Sequence, residues 1–547
     1  MQNKRPNILW VSFEDTQPYY GCYGDRVAST PNVDRLAGEG RRYTRAFSTA
    51  GVCAPARSAI ITGMYAISIG TMHMRTTHTH PDTPEMPTPY AAVVPHYVKC
   101  FPEYLRAAGY YCTNNDKTDY QFDAPLTAWD ELGPDAHWRN RPDPDQPFFA
   151  VFNPTKSHES GMWPEKTPEI TVDPADVTVP PYFPDTPKVR EAIARMHTNI
   201  THVDTYLGEL LDQLENDGLV ENTIVMHWSD HGPLPRGKRW LYDAGVRVPL
   251  IVRWPGRVAP GEVDEELVST IDLGPTVLSI AGVPVPAHMQ GRPFLGEQSA
   301  PRREYVFGAR DRFDEAYDMV RMARDRRFKY IRNCRPELPY LLWIPYRNRH
   351  PILQEMWRVY RENGLTEAQA VMFADRRPVE ELYDTEADPY ELHNLASDPE
   401  FAEHTARLAA ELDGWLNEVG DLGKIDESVM VRTWYPDGER PRTARPVFIP
   451  IAENADGQQA AAYGGAYVGP AVLQLHCATQ GASIAYRVEP VQEAAEADSA
   501  PRTGNWALYT GPIRLATGRT RVRARAVRIG YLESEERVAV FEVTAGR

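Results

Sequence analysis

Three apolar, β-rich runs each end in a cluster of polar, chemistry-bearing residues, and this recurrence constrains the fold of the chain more than any other feature. PNILWVSF (6–13) runs into Glu14-Asp15, FFAVFN (148–153) into PTKSHES, and NTIVMHWS (222–229) into Asp230-His231-Gly232. Runs this short and this continuously apolar read as strands buried on both faces of a parallel sheet. Between the second and third, VREAIARMHTNITHVDTYLGELLDQLEND (189–217) carries a 3.6-residue apolar repeat, which predicts a long amphipathic helix. TPNVDRLAGEG reads as a short helix with a glycine stop, and SAIITGMYA as a helix beginning near Ala56. VPLIVRWP (248–255) is a further strand. Strands alternating with helices predict an α/β domain with a mostly parallel sheet. Ligands of such sheets sit beyond the carboxyl ends of the strands, so the three polar clusters are expected to meet at one site.

This alternation occupies residues 1–300. From 301 to 435 the texture changes to Arg-rich segments, the strand RFKYIRN, a turn-rich ELYDTEADPYELHNLASDP and the helix FAEHTARLAAELDGWLNEVG, which predict a smaller C-terminal α+β subdomain. The Pro, Gly and Ala-rich stretch 436–470 reads as a linker. Residues 471–547 hold AVLQLHCA, ASIAYRVE, WALYTGPIRLA, TRVRARAVRIG and RVAVFEVTA between turn residues, the pattern of a small antiparallel β-sandwich. There Arg521, Arg523 and Arg525 alternate with Val522, Ala524 and Ala526, a strand with one wet face, and a packing role is favoured over glycan binding. The arginines of 302–349 are accompanied by Glu304, Asp311, Asp314, Glu315, Asp318 and Asp325. Ion pairs within the chain explain them at least as well as an anionic glycan does.

A net charge of -16 argues against a general nucleic-acid binder and makes any anionic substrate dependent on local cations or a metal. No run of 18 apolar residues is present, so no membrane span is expected. MQNKRPNILWVSF passes from a short basic start into a strand with no apolar leader between, so a cytoplasmic protein is expected. The six cysteines (Cys22, Cys53, Cys100, Cys112, Cys334, Cys477) form no CxxC pair, and buried free thiols account for all but one.

The exception is Cys53, in GVCAPARSAIITG: C-x-P-x-R, then Thr62-Gly63. Arg57, near the start of the expected helix, brings a cation and free backbone amides toward an anion. Lys117 in NNDKTDY and Lys238 in LPRGKRW lie in loop-like segments after apolar ones and are further candidate cations. His158 is a residue type that can protonate a leaving oxygen. The carboxylates of Glu14, Asp15 and Asp230 suit calcium or magnesium better than a soft metal, and His231 is a less usual ligand for such an ion. HMRTTHTH (73–80) fits no common zinc spacing. It reads as a loop at the site's mouth, where His73 and Arg75 could touch substrate.

This ordered set (strand-end acids, C-x-P-x-R…TG, a lysine loop, S-H, then S-D-H-G and G-K) resembles the type I sulfatases over roughly residues 5–430. ELYDTEADPYELHNLASDPEF is also typical of that family, and the details are most similar to its sulfamidase (heparan N-sulfatase) branch and bacterial relatives. The resemblance implies an alkaline-phosphatase-like α/β fold. It implies that a formylglycine-generating enzyme oxidises Cys53 to 3-oxoalanine (formylglycine), whose hydrate attacks sulfur. It implies calcium, before magnesium, at Glu14, Asp15, Asp230 and His231, with His231 standing where many relatives carry Asn. Sulfate would be held by Arg57, Lys117 and Lys238, with His158 or a lysine as the acid. Many relatives have a histidine two residues after the first of these lysines; Asp119 stands there in this chain and is expected to serve as the base. The implied reaction is hydrolysis of a sulfate monoester or N-sulfate, with sulfated sugars among the candidate substrates and release of inorganic sulfate. Two alternatives stand beside it. A phosphonate or phosphate ester hydrolase of the same superfamily would use the same cations, and a non-catalytic glycan-binding homologue would keep Cys53 unmodified.

Overall fold

A computed structural model describes residues 5–457, 463–491 and 506–546. Its central sheet contains β1 (Asn7–Phe13), β2 (Arg41–Phe47), β3 (Tyr111–Asn115), β4 (Glu131–Leu132), β5 (Phe148–Phe152), β6 (Thr223–Ser229), β7 (Arg247–Arg253) and β8 (Glu262–Ser269). Their order across the sheet is β4-β3-β5-β1-β6-β7-β2-β8. β1 pairs in parallel with β5 and β6, β3 with β4 and β5, and β2 with β8, whereas β7 runs antiparallel to both its neighbours. Every residue of β1, β5 and β6 is buried. Successive side chains of a strand point to opposite faces, so each apolar run feeds two cores at once. Ile8, Trp10, Phe149, Val151, Met226 and Trp228 join one; Leu9, Val11, Phe13, Phe148, Phe152 and Val225 join the other. That double demand is why these runs are continuously apolar rather than alternating.

Helices cover both faces. α1 (Pro31–Glu39) and the 30-residue α3 (Pro187–Asn216) lie on the Leu9 face, and α2 (Cys53–Thr62) and α4 (Leu273–Ile280) on the Trp10 face. α3 opens with Thr186 accepting from the Val189 amide and Pro187 in its first turn, and buries Val189, Ile193, Met196, Ile200, Val203, Leu207, Leu210 and Leu214 in one stripe. α2 starts at Cys53, three residues before the expected Ala56. Pro55 did not delay it, because the first helical turn has no use for a proline's missing amide donor. It ends at Gly63, whose φ of 67° closes the helix in the left-handed region.

A second, antiparallel sheet of β9 (Val306–Arg310), β10 (Val320–Arg324), β11 (Phe328–Asn333) and β12 (Glu380–Asp384) packs under α5 (Ala402–Val419), through Phe328, Tyr330, Leu382, Leu408, Leu412 and Trp415. Most arginines of 302–349 are ion-paired, and many partners lie outside that segment: Arg303 with Asp272, Arg312 with Glu427, Arg327 with Asp384, Arg332 with Asp413.

The stretch read as a linker, 436–470, is not one throughout. It contains β13 (Val447–Ala452), β14 (Ala455–Asp456) and β15 (Gly464–Val468). With β16 (Ala471–His476), β17 (Ser483–Pro490), β18 (Ala507–Leu508), β19 (Ile513–Leu515), β20 (Gly518–Val527) and β21 (Arg537–Thr544) they form two sheets, β14-β13-β16-β19 and β15-β21-β20-β17-β18. Pro450 concealed β13 in the sequence. It is tolerated because β14 pairs only with Ile451 and Ala452, so no donor is demanded of residue 450 on that side. The sheets share a core of Phe448, Leu473, Val522, Ala524 and Phe541 and are antiparallel except for the β15–β21 pair. On the wet face of β20, Arg523 and Arg525 pair with Glu536.

Candidate active site

The carboxyl ends of β1, β3, β5 and β6 lie side by side, and the segments leaving them carry the candidate residues. Glu14 and Asp15 leave β1, Asp230 and His231 leave β6, Lys117 and Asp119 follow β3, and His158 follows β5. Cys53 enters from the end of α2, as that helix's first residue. Its cap, Val52, offers no side-chain acceptor, so the first-turn amides are left facing the site. Arg57 belongs to the second turn of α2, not the first as expected, since the helix begins earlier.

Cys53 Sγ is 3.1 Å from His231 Nε2, 3.6 Å from Glu14 Oε1 and 3.9 Å from Asp15 Oδ1. Each carboxylate has its own cation. Lys117 contacts Glu14, Lys238 Nζ lies 2.6 Å from Asp15 Oδ2, and Arg57 Nε donates to Asp230 Oδ2 at 3.0 Å. The three carboxylates and His231 are fully buried, so this pairing is what allows three negative charges in a dry site. Burial works to raise Asp230, but His231, Arg57 and Lys117 outweigh it and hold the carboxyl well below its usual range. Burial pushes the Cys53 thiol well up, against Lys238, which lowers it, so as a thiol this side chain stays protonated and weakly nucleophilic.

His231 Nδ1 lies 3.0 Å from the Gly232 carbonyl, to which it donates, and this turns Nε2 toward Cys53 and toward Asp15 Oδ1, 3.2 Å away. One ligand atom each from Asp15, Cys53, Asp230 and His231 lies within 4.8 Å of the others, and so does one each from Glu14, Asp15, Cys53 and His158. Carboxylate oxygens from two strand ends plus one oriented imidazole nitrogen form a donor set that fits a hard divalent cation. Among the described residues, the histidines of 73–80 belong to no such group. His73 is buried and its Nδ1 accepts from the Arg312 amide, so it is not the substrate-facing residue the sequence suggested.

Lys238 Nζ also lies 3.1 Å from His158 Nε2, and His158 Nδ1 lies 2.9 Å from Ser160 Oγ. Burial and Lys238 push His158 down to about 3. The imidazole is therefore neutral here, and the proton of this pair resides on the lysine. Asp119 Oδ2 is 3.5 Å from Lys117 Nζ, with its side chain about one-third exposed.

Three further residues complete the site and were not singled out in the sequence. Asn153 accepts from Arg57 at 3.3 Å and from Ser12 at 2.5 Å and donates to Asn114. Glu159 takes a bidentate pair from Arg239 at 2.9 and 2.7 Å, lies 3.2 Å from Lys238, and gives its backbone amide to Asp15. Glu159 and Arg239 adjoin His158 and Lys238 in the chain, and that adjacency is the only sequence signal they carry. Asp15, Arg75, Asp119, Arg239 and Asp314 are five of the eight non-glycine residues with positive φ among the described residues, and such backbone concentrates at functional sites.

The sulfatase family model matches residues 6–134 and 113–283, and that of the C-terminal part of N-sulphoglucosamine sulphohydrolase matches 231–336. An ulvan-active sulfatase of Formosa agariphila is 41% identical over 570 residues, covering 97% of this chain and 91% of the relative. Human N-sulphoglucosamine sulphohydrolase is 28% identical over 474 residues, covering 76% and 90%. A solved structure of a protein with its substrate D-glucosamine-2-N,6-O-disulfate is similar with a TM-score of 0.55 at 18% identity, over 77% of this chain and all of that one.

Proposed function

Because the chain belongs to the sulfatase family and is a sulfuric ester hydrolase, we propose that it releases inorganic sulfate from a sulfated sugar, with formylglycine made from Cys53 and a calcium ion held by Glu14, Asp15, Asp230 and His231. Ulvan fragments are the first substrate class, because similarity to the ulvan-active relative extends over nearly the whole chain. N-sulfated glucosamine is the second, from the similarity to N-sulphoglucosamine sulphohydrolase. The observation that carries the reading is the convergence of Cys53 with His231 and three buried carboxylates at a helix N-terminus flanked by two lysines.

The formylglycine hydrate supplies an oxygen nucleophile that a protonated thiol does not. Calcium, when bound, supplies positive charge beside that nucleophile and the sulfuryl oxygens. The chain's own residues do the rest. Arg57 is held by Asp230 and Asn153, so its guanidinium is fixed before substrate arrives. Lys117 and Lys238, each paired with a carboxylate beside Cys53, supply ammonium groups that bind sulfuryl oxygens. Lys238, donating to His158, delivers a proton toward the leaving oxygen or nitrogen. Asp119 takes the proton whose loss expels sulfate. Cys53 is 2% exposed, so a formylglycine-generating enzyme would act on the chain before it folds.

Sulfate release is to be measured side by side from ulvan fragments, N-sulfated glucosamine, O-sulfated monosaccharides and an aryl sulfate, and phenol release from an aryl phosphonate monoester. Fastest turnover of a sulfated sugar is expected. Turnover of the aryl phosphonate alone would refute the proposal in favour of a phosphonate ester hydrolase, and glycan binding with no turnover in favour of a non-catalytic homologue.

A further inference from the structure

One ion pair at the rim of the site is left unused by this chemistry. Arg75 Nε lies 2.8 Å from Asp314 Oδ1. Both residues hold left-handed backbone, at φ 57° and 45°, uncommon for an arginine and more readily adopted by an aspartate. Asp314 sits in a tight turn in which Phe313 and Ala316 exchange backbone hydrogen bonds of 2.9 and 2.8 Å. That turn is tied to the Arg75 loop by the Met74 amide donating to the Arg312 carbonyl at 2.9 Å. Met74, Phe313 and Ala316 pack against Val52, Cys53 and Ala54, so the pair is carried on the wall beside the nucleophile position.

The two partners differ in exposure. The Asp314 side chain is 3% exposed and that of Arg75 27%. Neither oxygen of Asp314 has a well-aligned hydrogen bond, so the carboxylate holds Arg75 by charge alone. The guanidinium lies 5.2 Å over the Tyr346 ring, within electrostatic reach of Cys53 and Asp119, and Tyr346 in turn is within reach of Lys238 and Asp15. No hydrogen bond from either terminal nitrogen of Arg75 is formed among the described residues. A strained, backed, half-open guanidinium on an aromatic floor is a fork for an oxyanion. In a chain of net charge -16, a polyanionic substrate has to be received by cations placed in this way.

We propose that Arg75 binds a second anionic group of the substrate, a carboxylate or another sulfate on the sugar being cleaved or its neighbour, with Asp314 as the positioning residue. The proposal rests on the sulfatase reading and narrows its substrates to sugars with two anionic groups. The test measures kcat/KM for wild type, Arg75→Met and Arg75→Lys on two substrate pairs. One pair is a sulfated uronate-containing oligosaccharide and its carboxyl-reduced form; the other is a disulfated and a monosulfated glucosamine. In at least one pair, Arg75→Met is expected to lower kcat/KM for the doubly anionic member about tenfold or more beyond its effect on the other member, mainly through KM, with partial recovery in Arg75→Lys. The responding pair identifies the group. Equal losses on both members of both pairs, or no loss on any, would overturn the role of Arg75 and leave the sulfatase reading standing. Failure of wild type to release sulfate from every substrate would overturn both.

Discussion

At the scale of single residues, the site is a set of opposite charges arranged around position 53, and each cation carries a separable share of the work. Lys238 touches both Asp15 and His158, so Lys238→Met should lower kcat/KM about 100-fold or more, the usual loss for one donor to a charged transition state. A loss below about threefold would remove Lys238 from the mechanism. Asp119→Asn should lower kcat by about 100-fold if its carboxylate is the base that lets sulfate leave. Steady-state turnover at the wild-type rate would dismiss that role. The charged residues were legible in the sequence because each follows a run that reads as a strand or sits inside C-x-P-x-R. Asn153, Glu159 and Arg239 were not. Asn153 matters only because β1 and α2 bring Ser12 and Arg57 to it, and the Glu159–Arg239 pair joins residues eighty positions apart.

At the scale of elements, glycines and one buried clamp decide whether the residues stay aimed. A Cβ on Gly237 would lie 2.1 Å from the Ala244 carbonyl oxygen, so the loop presenting Lys238 can close only over glycine. Gly237→Ala should destabilise the protein by about 1–3 kcal/mol and displace Lys238; an unfolding midpoint equal to wild type would contradict this. In the clamp, Arg312 donates to both oxygens of Glu427 at 2.6 and 2.7 Å, and Tyr90 and Tyr317 add 2.6 Å bonds, joining the loop after β9 to α6 (Glu427–Trp434). Glu427→Ala leaves the buried Arg312 with two backbone carbonyls but without its counter-charge, and the expected loss is about 3–5 kcal/mol at neutral pH. Burial works to raise the Glu427 carboxyl, but His73 and Arg312 prevail and hold it down to about 2. A carboxyl lowered on folding stabilises fully above its unfolded pKa of about 4.5 and loses that contribution as pH falls through about 2. Denaturant midpoints of wild type and Glu427→Ala should therefore stay apart at pH 5 and converge toward pH 2. A gap unchanged over that range would refute the charge-based account. The positions of β1, β5, β6 and β7 were readable from apolar runs, whereas β2, β3, β4 and β8 were not read and β12 opens the segment read as turn-rich. The start of α2 and the existence of β13 were not, because Pro55 and Pro450 carry the local signal of a break while sitting where no amide donor is required.

At the scale of the whole molecule, the mostly parallel sheet was visible in the sequence because its central strands β1, β5 and β6 are buried on both faces and so cannot alternate. The docking of the C-terminal sheets was not, since it depends on long-range contacts. Lys99 reaches the Gly481 carbonyl and Ser483 Oγ at 2.5 and 2.8 Å, Arg106 reaches the Trp506 carbonyl, and Ile529 joins the core beneath α2. Truncation after Asp437 should consequently lower Tm by several degrees and leave apolar surface exposed; an unchanged Tm would mean that the module only hangs from the catalytic part. The central claim, however, concerns one side chain. The mass of the peptide containing residue 53, from a preparation that releases sulfate, tests it most directly. An aldehyde oxygen in place of the cysteine sulfur is expected in the active fraction. An intact thiol at full activity would contradict it.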